Sequence, residues 1–469
     1  MAAGKTTLGF ELAERIGRPF LDVDAHLQLR TGRTVTELFV ERGEAEFRVL
    51  ETVSTVDALR NRRPSVLALG GGALGTEAVR TELAAHALTV LLEVDVDVAW
   101  ERVQQAGDRP LARDPERFRA LYEERRGLYE AAADAYARDV DDAVLAAAGV
   151  HVEVGCLERL GELVPGDGEV ALVTEPWVAG IHGAEAQLAL RDRLVSTHEL
   201  ARGEAAKTVA SCERLWEELR LDRSGTLVAL GGGSVTDAAG FVAATYLRSI
   251  GWVPVPTTLV GQVDAAIGGK TALDLPAGKN LVGAFHWPAR VVADPALLET
   301  LAPAERRTGM AEVVKTGLLA GEALWEQTDP DLVRRAAAYK SALCLRDPHD
   351  RGPRAVLNLG HTFAHALEAG ADYELSHGDA VALGLTAALR LSEQQLGLDP
   401  SVREEVERVL EPRPVSADHE RAWAALGRDK KASGGRARLV LLEAPGRPVA
   451  GVELPDDDVR TALDALIEG

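Results

Sequence analysis

The most informative segment of the sequence is Asn358-Leu-Gly-His-Thr-Phe-Ala-His365, which is followed by Ser376-His-Gly-Asp379. Side chains four positions apart share one face of a helix, so His361 and His365 point into the same space. His377 follows a turn and can close on that space from the next element. These three lie within 17 residues of a chain that has 11 histidines in all. Because imidazole is a common metal ligand and the usual acid or base near neutral pH, the cluster predicts a functional site rather than ordinary packing.

Length and charge set the outer limits of the interpretation. At 469 residues the chain is too long for one ordinary core, so two or three domains are expected. Its 73 acidic and 52 basic residues give a net charge of −21, which argues against a nucleic-acid partner but still allows small anionic substrates. We find no apolar run of about 18 residues and no leader pattern, so we expect a cytoplasmic protein without membrane contact. Cys156, Cys212 and Cys344 form no CxxC pair and fit a reducing compartment.

The hydrophobic pattern divides the chain into regions that we predict as residues 1–148, 150–300 and 301–469. In the first two regions, short apolar runs alternate with helical patterns, which predicts α/β domains with parallel sheets. The first region is expected to end without a final helix. After about residue 299, long amphipathic stretches predict an all-helical domain that carries the histidine cluster, with one late strand near 438–442.

The first motif is Gly4-Lys5-Thr6-Thr7, directly before an amphipathic helix. This is the end of a phosphate-binding loop, in which backbone N–H groups and the lysine hold phosphate oxygens and the first threonine can hold Mg²⁺. Taken alone, the motif fits an ordinary helix N-terminus equally well. Supporting polar or glycine residues follow at strand ends and in charged segments: Asp22, Asp24, Arg48, Gly70–Gly72, Arg109 and Arg125.

The order and spacing of these motifs resemble shikimate kinase over residues 1–145. The resemblance implies that ATP and Mg²⁺ are bound by Gly4, Lys5, Thr6, Thr7 and Asp22. It implies that shikimate is held by Asp24, Arg48, Gly71 and Arg125, with Asp24 as the base and Arg109 as a lid arginine on the transferred phosphoryl group. The family's first strand and first loop glycine would precede Met1, so as written the chain is expected to lack half of the phosphate-binding amides. A non-catalytic structural or regulatory module is therefore the alternative.

The middle of the chain carries a second glycine-rich loop, Leu230-Gly-Gly-Gly-Ser234, between an apolar strand and a helix. Such a loop lets a pyrophosphate approach the backbone and a helix N-terminus. Residues 263–271 and 278–280 then place Lys270 and Lys279 beside glycines. Glycine permits close approach and lysine supplies charge, so these segments predict a small anion site, although solvated loop lysines are the simpler alternative.

Glu312 and Lys315 open the helical region at a spacing of three residues. They fit an ordinary surface pair. Alternatively, Glu312 joins His361 and His377 in a zinc site of two histidines and one carboxylate, with an open position for substrate. Spacing alone is equally compatible with His361 and His365 as the metal pair.

From about residue 150 to the end, these motifs resemble 3-dehydroquinate synthase. The resemblance implies Zn²⁺ (or Co²⁺) on Glu312, His361 and His377. It implies that NAD⁺ is bound by Glu204, Lys207, Gly232, Gly233, Asp237, Thr257, Thr258 and Lys279, with Asp264 between cofactor and substrate. It implies that the substrate contacts Arg248, Lys270, Asn280, Lys315, Lys340, Arg354, Asn358 and one of Lys430 and Lys431.

Within that resemblance His365 becomes an acid or base rather than a ligand. Asp350 stands where the family has a glutamate, which keeps the charge but shortens the reach. Arg248 is the residue that would enter a partner subunit's site, so a homodimer is implied. The leading interpretation is a bifunctional enzyme acting on small-molecule substrates. The alternatives are a related sugar-phosphate cyclase and, less favoured, a polyol dehydrogenase.

Overall fold

The computed structural model describes residues 3–61, 63–105, 114–432 and 437–468, without the side chains of residues 428–432. The chain forms two compact units, Met1–Ala148 and Gly149–Gly469. The α/β fold class predicted from the sequence is confirmed in both units.

The first unit alternates strands and helices. Its strands are β1 (Phe20–Asp22), β2 (Val66–Ala68), β3 (Val90–Leu92) and β4 (Ala135–Ala137). Its helices are α1 (Lys5–Ile16), α2 (Val23–Thr31), α3 (Val35–Leu59), α4 (Glu77–His86), α5 (Val96–Gln105), α6 (Pro115–Ala132) and α7 (Val140–Ala148). Strands β1 and β2 pair in parallel, as do β3 and β4, so the strands of the described part form two separate pairs.

Local chemistry explains where these helices begin. Thr34 and Glu37 form a reciprocal capping box at the start of α3, and Asp114 accepts hydrogen bonds from two backbone N–H groups at the start of α6. The expectation that the first region lacks a final helix is wrong. Helix α7 is short but almost entirely apolar, and it buries Val144 and Leu145, so its signal was too brief to separate from a strand.

The second unit begins with an α/β part. Its strands are β5 (Val150–Val152), β6 (Val170–Thr174), β7 (Leu194–Glu199), β8 (Thr226–Gly231), β9 (Gly251–Pro256), β10 (Lys270–Leu275), β11 (Gly278–Phe285) and β12 (Val291–Ala293). Its helices are α8 (Leu160–Leu163), α9 (Pro176–Val178), α10 (Ala184–Leu190), α11 (Val209–Glu218) and α12 (Gly233–Thr245).

Four strands of this part make a parallel sheet in the order β7-β6-β8-β9. Strands β6 and β8 are buried along their whole length, which explains their continuous apolar sequences. The strand order reverses between β6 and β8, and ligands of open α/β sheets bind beyond the carboxyl ends of the strands at such a point. The glycine-rich loop leaves β8 at this edge. Strands β10 and β11 form a separate antiparallel hairpin.

The rest of the unit is mainly helical. Its helices are α13 (Pro303–Ala320), α14 (Asp329–Arg346), α15 (His361–Gly370), α16 (His377–Leu396), α17 (Pro400–Leu410), α18 (His419–Ala432) and α19 (Asp456–Asp464). The all-helical expectation needs a correction, because β13 (Arg438–Ala444) and β14 (Arg447–Glu453) form an antiparallel hairpin. The first of these strands was expected. The second has a mostly exposed, less apolar sequence and gave no clear strand signal.

No helix in the described ranges combines the length and the apolar character that crossing a lipid bilayer requires. Cys156, Cys212 and Cys344 are buried and unpaired, so they pack as small core residues.

Candidate functional site

The structure brings together one carboxylate and two imidazoles from three helices. One ligand atom each from Glu312 (α13), His361 (α15) and His377 (α16) lies within 4.8 Å of the others. Nε2 of His361 is 3.3 Å and Nε2 of His377 is 3.1 Å from Oε1 of Glu312. Side-chain exposure rises from 1% for Glu312 to 12% for His361 and 36% for His377, so the cluster opens towards solvent on the His377 side. This arrangement can hold a divalent cation and leave a coordination position for another molecule.

The helix starts set the positions of the two histidines. His377 is the first residue of α16, after a Ser376 N-cap whose hydroxyl accepts from the Asp379 N–H at 3.2 Å. His361 is the first residue of α15, after Gly360 in the left-handed region with φ 78°. A Cβ on Gly360 would lie 2.8 Å from the Leu385 nitrogen, and a Cβ on Gly384 would overlap the Gly360 carbonyl oxygen. The start of α15 therefore packs against α16 by direct backbone contact.

The electrostatics of the cluster favour a bound cation. Burial acts to raise the pKa of Glu312, but Lys315 and then the two histidines hold that pKa well below its usual range. For His377, burial acts to lower the pKa, yet hydrogen bonds to Glu312 and Glu368 raise it to about 9. Two carboxylates thus attract positive charge to this imidazole, and a metal ion would compete with the proton for the same ring nitrogen.

His365 lies beside the cluster but outside the group of three. Its ring centre is 5.6 Å from that of His361. Part of the residue remains accessible to solvent, although many neighbouring protein atoms surround its imidazole ring. Enclosure by the surrounding protein and then the neighbouring His361 lower the pKa of His365, which keeps the imidazole neutral near neutral pH. The structure thus favours His377 over His365 as the second imidazole ligand, which spacing alone left open.

Asp264 forms ion pairs with two buried lysines next to the candidate metal site. It lies in a π-helical turn at Gly261–Ala265. Oδ2 of Asp264 is 3.2 Å from Nζ of Lys315, and Lys315 also pairs with Glu312. Asp264 forms a second ion pair with Lys340 on α14. Nζ of Lys340 donates to the Asp264 carbonyl oxygen at 2.6 Å. Both lysines are less than 10% exposed, and paired burial of this kind holds charged groups in fixed positions.

Lys270, Asp350 and Arg354 extend the charged cluster on the hairpin side. Lys270 at the start of β10 pairs with Asp350, which sits in the left-handed region with φ 54°. The shorter carboxylate therefore still reaches the lysine. Arg354 is 3% exposed and donates from NH1 to the Gly268 carbonyl oxygen at 3.2 Å. A Cβ on Gly268, where φ is 89°, would lie 2.7 Å from the Arg354 guanidinium, so this position requires glycine.

The glycine-rich loop lies at the carboxyl edge of the sheet as predicted. Gly232 is the N-cap of α12, and a Cβ on it would come within 3.1 Å of Thr258. Thr257, at the end of β9, donates its N–H to the Gly231 carbonyl oxygen at 3.0 Å, and the Thr258 hydroxyl accepts from the Gly261 N–H at 3.1 Å. A Cβ on Gly233 would be 3.3 Å from Ala265, beside Asp264.

Lys207 organises the polar groups beneath this loop. Its Nζ is 2.9 Å from Asp237 and donates to Asn280 Oδ1 at 2.5 Å. Burial raises the pKa of Asp237 to about 6, against the opposing effect of Lys207. Glu204 accepts from the Ser234 hydroxyl at 3.0 Å. The Asn280 N–H donates to Asp274 at 2.8 Å, which holds Asn280 in the left-handed region with φ 56°.

Among the described side chains, two predicted residues, Arg248 and Asn358, are not drawn into these contacts. Arg248 is exposed, in a turn where Leu247, Arg248 and Ser249 all have positive φ. Asn358 is exposed at the end of the 3₁₀ turn that precedes α15. Lys430 and Lys431 lie in α18, but their side chains are outside the described part of the chain.

The first unit has its own cluster at the start of α1. Gly4, with φ 84°, is the N-cap, so Lys5, Thr6 and Thr7 form the first turn, the part of a helix that binds anions through its backbone N–H groups. The Thr6 hydroxyl donates to Asp22 at the end of β1, at 2.6 Å. A hydroxyl and a carboxylate in contact at a helix start form the pair that Mg²⁺–nucleotide sites use.

Charged side chains surround the glycines after β2. A Cβ on Gly70 would lie 2.9 Å from Asp24, and one on Gly72 would overlap the guanidinium of Arg48. A Cβ on Gly71 would be 3.3 Å from Arg125. The structure therefore brings Asp24, Arg48, Gly71 and Arg125 together, as the sequence predicted. Arg109 lies outside the described residues.

Sequence reasoning missed four polar residues of these clusters: Glu51, Tyr129, Asp274 and Glu368. Glu51 is buried and pairs with Arg48 at 2.6 Å, and Tyr129 donates to the Gly71 carbonyl oxygen at 2.6 Å. Two of the four had a usable signal. Glu51 follows Arg48 by three residues and Glu368 follows His361 by seven, spacings that share a helix face. Asp274 acts through a contact inside a hairpin that spacing does not reveal.

Comparisons with known proteins match both units. A shikimate kinase family model matches residues 1–149, and models of the N-terminal and C-terminal parts of 3-dehydroquinate synthase match residues 197–308 and 309–432. The chain is similar to a 3-dehydroquinate synthase of Bordetella pertussis, with 39% identity over 341 residues, covering 67% of this chain and 95% of that protein.

Two solved structures share the fold of the second unit. One is 2-deoxy-scyllo-inosose synthase complexed with carbaglucose-6-phosphate, NAD⁺ and Co²⁺, with a TM-score of 0.61, 22% identity and coverage of 68% of this chain and 96% of that chain. Another is 2-epi-5-epi-valiolone synthase from Streptomyces hygroscopicus with NAD⁺ and Zn²⁺ bound, with a TM-score of 0.60, 24% identity and the same coverage. The chain thus belongs to the 3-dehydroquinate synthase family and is a bifunctional enzyme in which a shikimate kinase domain precedes the synthase.

Proposed function

We propose that the second unit converts 3-deoxy-D-arabino-heptulosonate 7-phosphate to 3-dehydroquinate and phosphate, with NAD⁺ and a divalent cation as cofactors. The observation that carries this proposal is the convergence of Glu312, His361 and His377 next to the cationic cluster around Asp264. A carboxylate and a phosphate on one substrate need several fixed cations, and a polyol needs a Lewis acid beside them.

The residues present fit the two cofactors. Two imidazole nitrogens and a carboxylate oxygen within 4.8 Å of one another are a donor set suited to Zn²⁺ or Co²⁺. The three glycines at the junction of β8 and α12 add no side chains of their own to the loop, which suits a pyrophosphate that approaches the backbone at a helix start. When bound, these groups would supply Lewis-acid activation of substrate hydroxyls and reversible hydride transfer.

The protein's own side chains divide the remaining tasks. Lys270, Lys340 and Arg354 bind and orient the anionic ends of the substrate, and Lys315 fixes the group next to the metal ligands. Asp264 holds the lysines in place through its ion pairs. His365 is neutral near neutral pH, so it can accept a proton from the substrate and return it. Arg248 is assigned to the site of a neighbouring subunit in a homodimer.

For the first unit we propose transfer of the γ-phosphoryl group of ATP to shikimate. Lys5 and the first turn of α1 hold the nucleotide, and Thr6 with Asp22 holds Mg²⁺. Asp24 accepts the proton of the attacking hydroxyl, and Arg48 and Arg125 bind the shikimate carboxylate near Gly71. The alternative of a non-catalytic module is separated from this proposal by direct assay of the full chain.

Supplying the heptulosonate phosphate with catalytic NAD⁺ and Zn²⁺ should release one phosphate per substrate and give 3-dehydroquinate without net formation of NADH. Phosphate release and the product should be followed together, with NADH absorbance recorded in the same reaction. Glucose 6-phosphate and sedoheptulose 7-phosphate, two other sugar phosphates, serve as comparison substrates. Preferred turnover of either would reject the assigned substrate, and net NADH production would instead indicate a dehydrogenase.

Arg48→Met should raise the KM of the kinase reaction for shikimate by about 100-fold, because two charge-assisted hydrogen bonds to a carboxylate are worth roughly 3 kcal/mol. The KM for ATP and the synthase rate should stay unchanged. The measurement is coupled-assay kinetics with each substrate varied in turn.

Arg42→Met is the matched control, since Arg42 is an exposed arginine of the same helix α3 that pairs only with Glu46 among the described contacts. An unchanged shikimate KM in Arg48→Met would reject the binding role. Absence of phosphorylation by the unmodified chain would support the non-catalytic module instead.

A further inference from the structure

Glu368 is a buried carboxylate of α15 that contacts a histidine and a lysine, His377 and Lys279. It is 4% exposed. Its Oε1 lies 3.5 Å from Nδ1 of His377 and 3.5 Å from Nζ of Lys279 on β11. It follows His361 by seven residues, two helical turns, so both face the same site. A histidine and a lysine are thus the charged or polar partners that a carboxylate needs when it is buried in the protein.

The two nitrogens of His377 face different carboxylates. Nε2 is 3.1 Å from Oε1 of Glu312, inside the candidate metal site, whereas Nδ1 faces Glu368 on the opposite edge of the ring. A carboxylate 3.5 Å from Nδ1 favours the tautomer that keeps the proton on Nδ1, in which Nε2 carries the lone pair. It also fixes the ring orientation and makes the remaining nitrogen a stronger donor to a metal.

We propose that Glu368 is the positioning residue of this site: it orients His377 for metal binding and at the same time anchors Lys279. The assignment rests on the proposed metal centre. Lys279 is one of the residues predicted to contact NAD⁺, and its Nζ also lies 5.3 Å from the centre of the Tyr373 ring. One carboxylate therefore ties a metal ligand on α16 to a cofactor lysine on the β10–β11 hairpin.

Because Glu368 contacts both His377 and Lys279, removing Glu368 and removing Lys279 should change metal affinity differently. Removing the charge of Glu368 takes the acceptor from His377, so metal affinity falls. Removing Lys279 leaves Glu368 with His377 as its sole charged neighbour among the described ion pairs, so metal affinity is kept or increased. A purely structural role, in which the contacts only hold the hairpin and helices together, would make both variants lose metal affinity.

The test is zinc affinity of the purified full chain, measured by competition with a chromogenic chelator. Glu368→Gln should weaken zinc binding by about 10- to 100-fold, the usual effect of losing a carboxylate behind a histidine ligand. Lys279→Met should bind zinc at least as tightly as the unmodified chain. The visible spectrum of the Co²⁺-substituted protein should change in Glu368→Gln, since the orientation of one ligand changes, and should be preserved in Lys279→Met.

Glu393→Gln is the matched control, because Glu393 is a partly buried, ion-paired carboxylate of α16 that contacts Arg403 at 2.7 Å. Glu368→Asp, which keeps the charge but shortens the reach, should fall between Glu368→Gln and the unmodified chain and serves if the glutamine variant does not fold. Zinc affinity of Glu368→Gln within twofold of the unmodified chain would overturn the assignment, as would equal losses in Glu368→Gln and Lys279→Met. Failure of the unmodified chain to bind zinc would instead remove the metal centre itself, together with this role.

Discussion

His361→Ala should remove zinc from the second unit and with it all measurable synthase turnover. His361 supplies one of three protein donors, and total binding free energies of about 10–16 kcal/mol for zinc sites imply a loss of roughly 3 kcal/mol or more per ligand, a 100-fold or larger drop in affinity. Only two of the three protein ligands, Glu312 and His377, would then remain, and we expect them to bind the ion too weakly to retain it. Metal content after dialysis and kcat with saturating heptulosonate phosphate measure the two effects.

His419→Ala is the control variant, because it removes a histidine that lies outside the candidate metal site. His419 pairs with Asp464 at 2.9 Å, at the start of α18, and belongs to no candidate ligand group of the described residues. That variant should keep its metal and its rate. Normal zinc content and normal turnover in His361→Ala would show that the three converging side chains are not the metal site.

Lys315→Met should destabilise the metal-free protein and should increase the stabilisation that bound zinc provides. The ammonium is 2% exposed and lies between Glu312 and Asp264. Without it, two carboxylates remain in a buried site, which destabilises the metal-free fold by about 3–5 kcal/mol. A bound dication supplies the missing positive charge, so zinc should raise the Tm more in the variant than in the unmodified chain. Turnover should still fall by about 100-fold or more, because a fixed charge next to the substrate is lost.

Val313→Ala separates this charge effect from simple loss of stability. Val313 is fully buried on the same helix α13, and its truncation should cost about 2 kcal/mol through lost packing. Its zinc-dependent change in Tm and its turnover should match the unmodified chain. Melting curves with chelator and with excess zinc, followed by steady-state kinetics, provide the measurement. Full activity in Lys315→Met would reject the role given to this lysine.

The positions of residues were predicted correctly where a short sequence segment places them at the end of a helix or strand. His361 and His377 each begin a helix, and the glycine loop follows a buried strand, so short sequence segments were enough to place them. The choice between His365 and His377 as a ligand needed Glu312, which reaches the site from a helix about 50 residues earlier. No local pattern contains that information, because it depends on how α13 packs against α16.

The failures have a similar physical origin. Strand β14 is exposed along much of its length and is held by pairing with β13, so its own sequence carries little β signal. Asp274 takes its importance from holding the backbone of Asn280 within one hairpin. Glu368 has an informative spacing, yet a glutamate on a helix is usually a solvated residue, and burial became evident only from the packing around it.

The backbone contact between Gly360 and Gly384 has a consequence for how the ion would be captured. No side chain lies between the backbone of Gly360, at the start of α15, and the backbone of Gly384 within α16, so this spacing cannot be adjusted by changing rotamers. The entropy of bringing the donors together is consequently lost when the chain folds rather than when the ion arrives. The ion then binds to donor atoms that are already in position. We expect such a preorganised site to bind the ion more tightly and more rapidly than a site whose ligands must first come together.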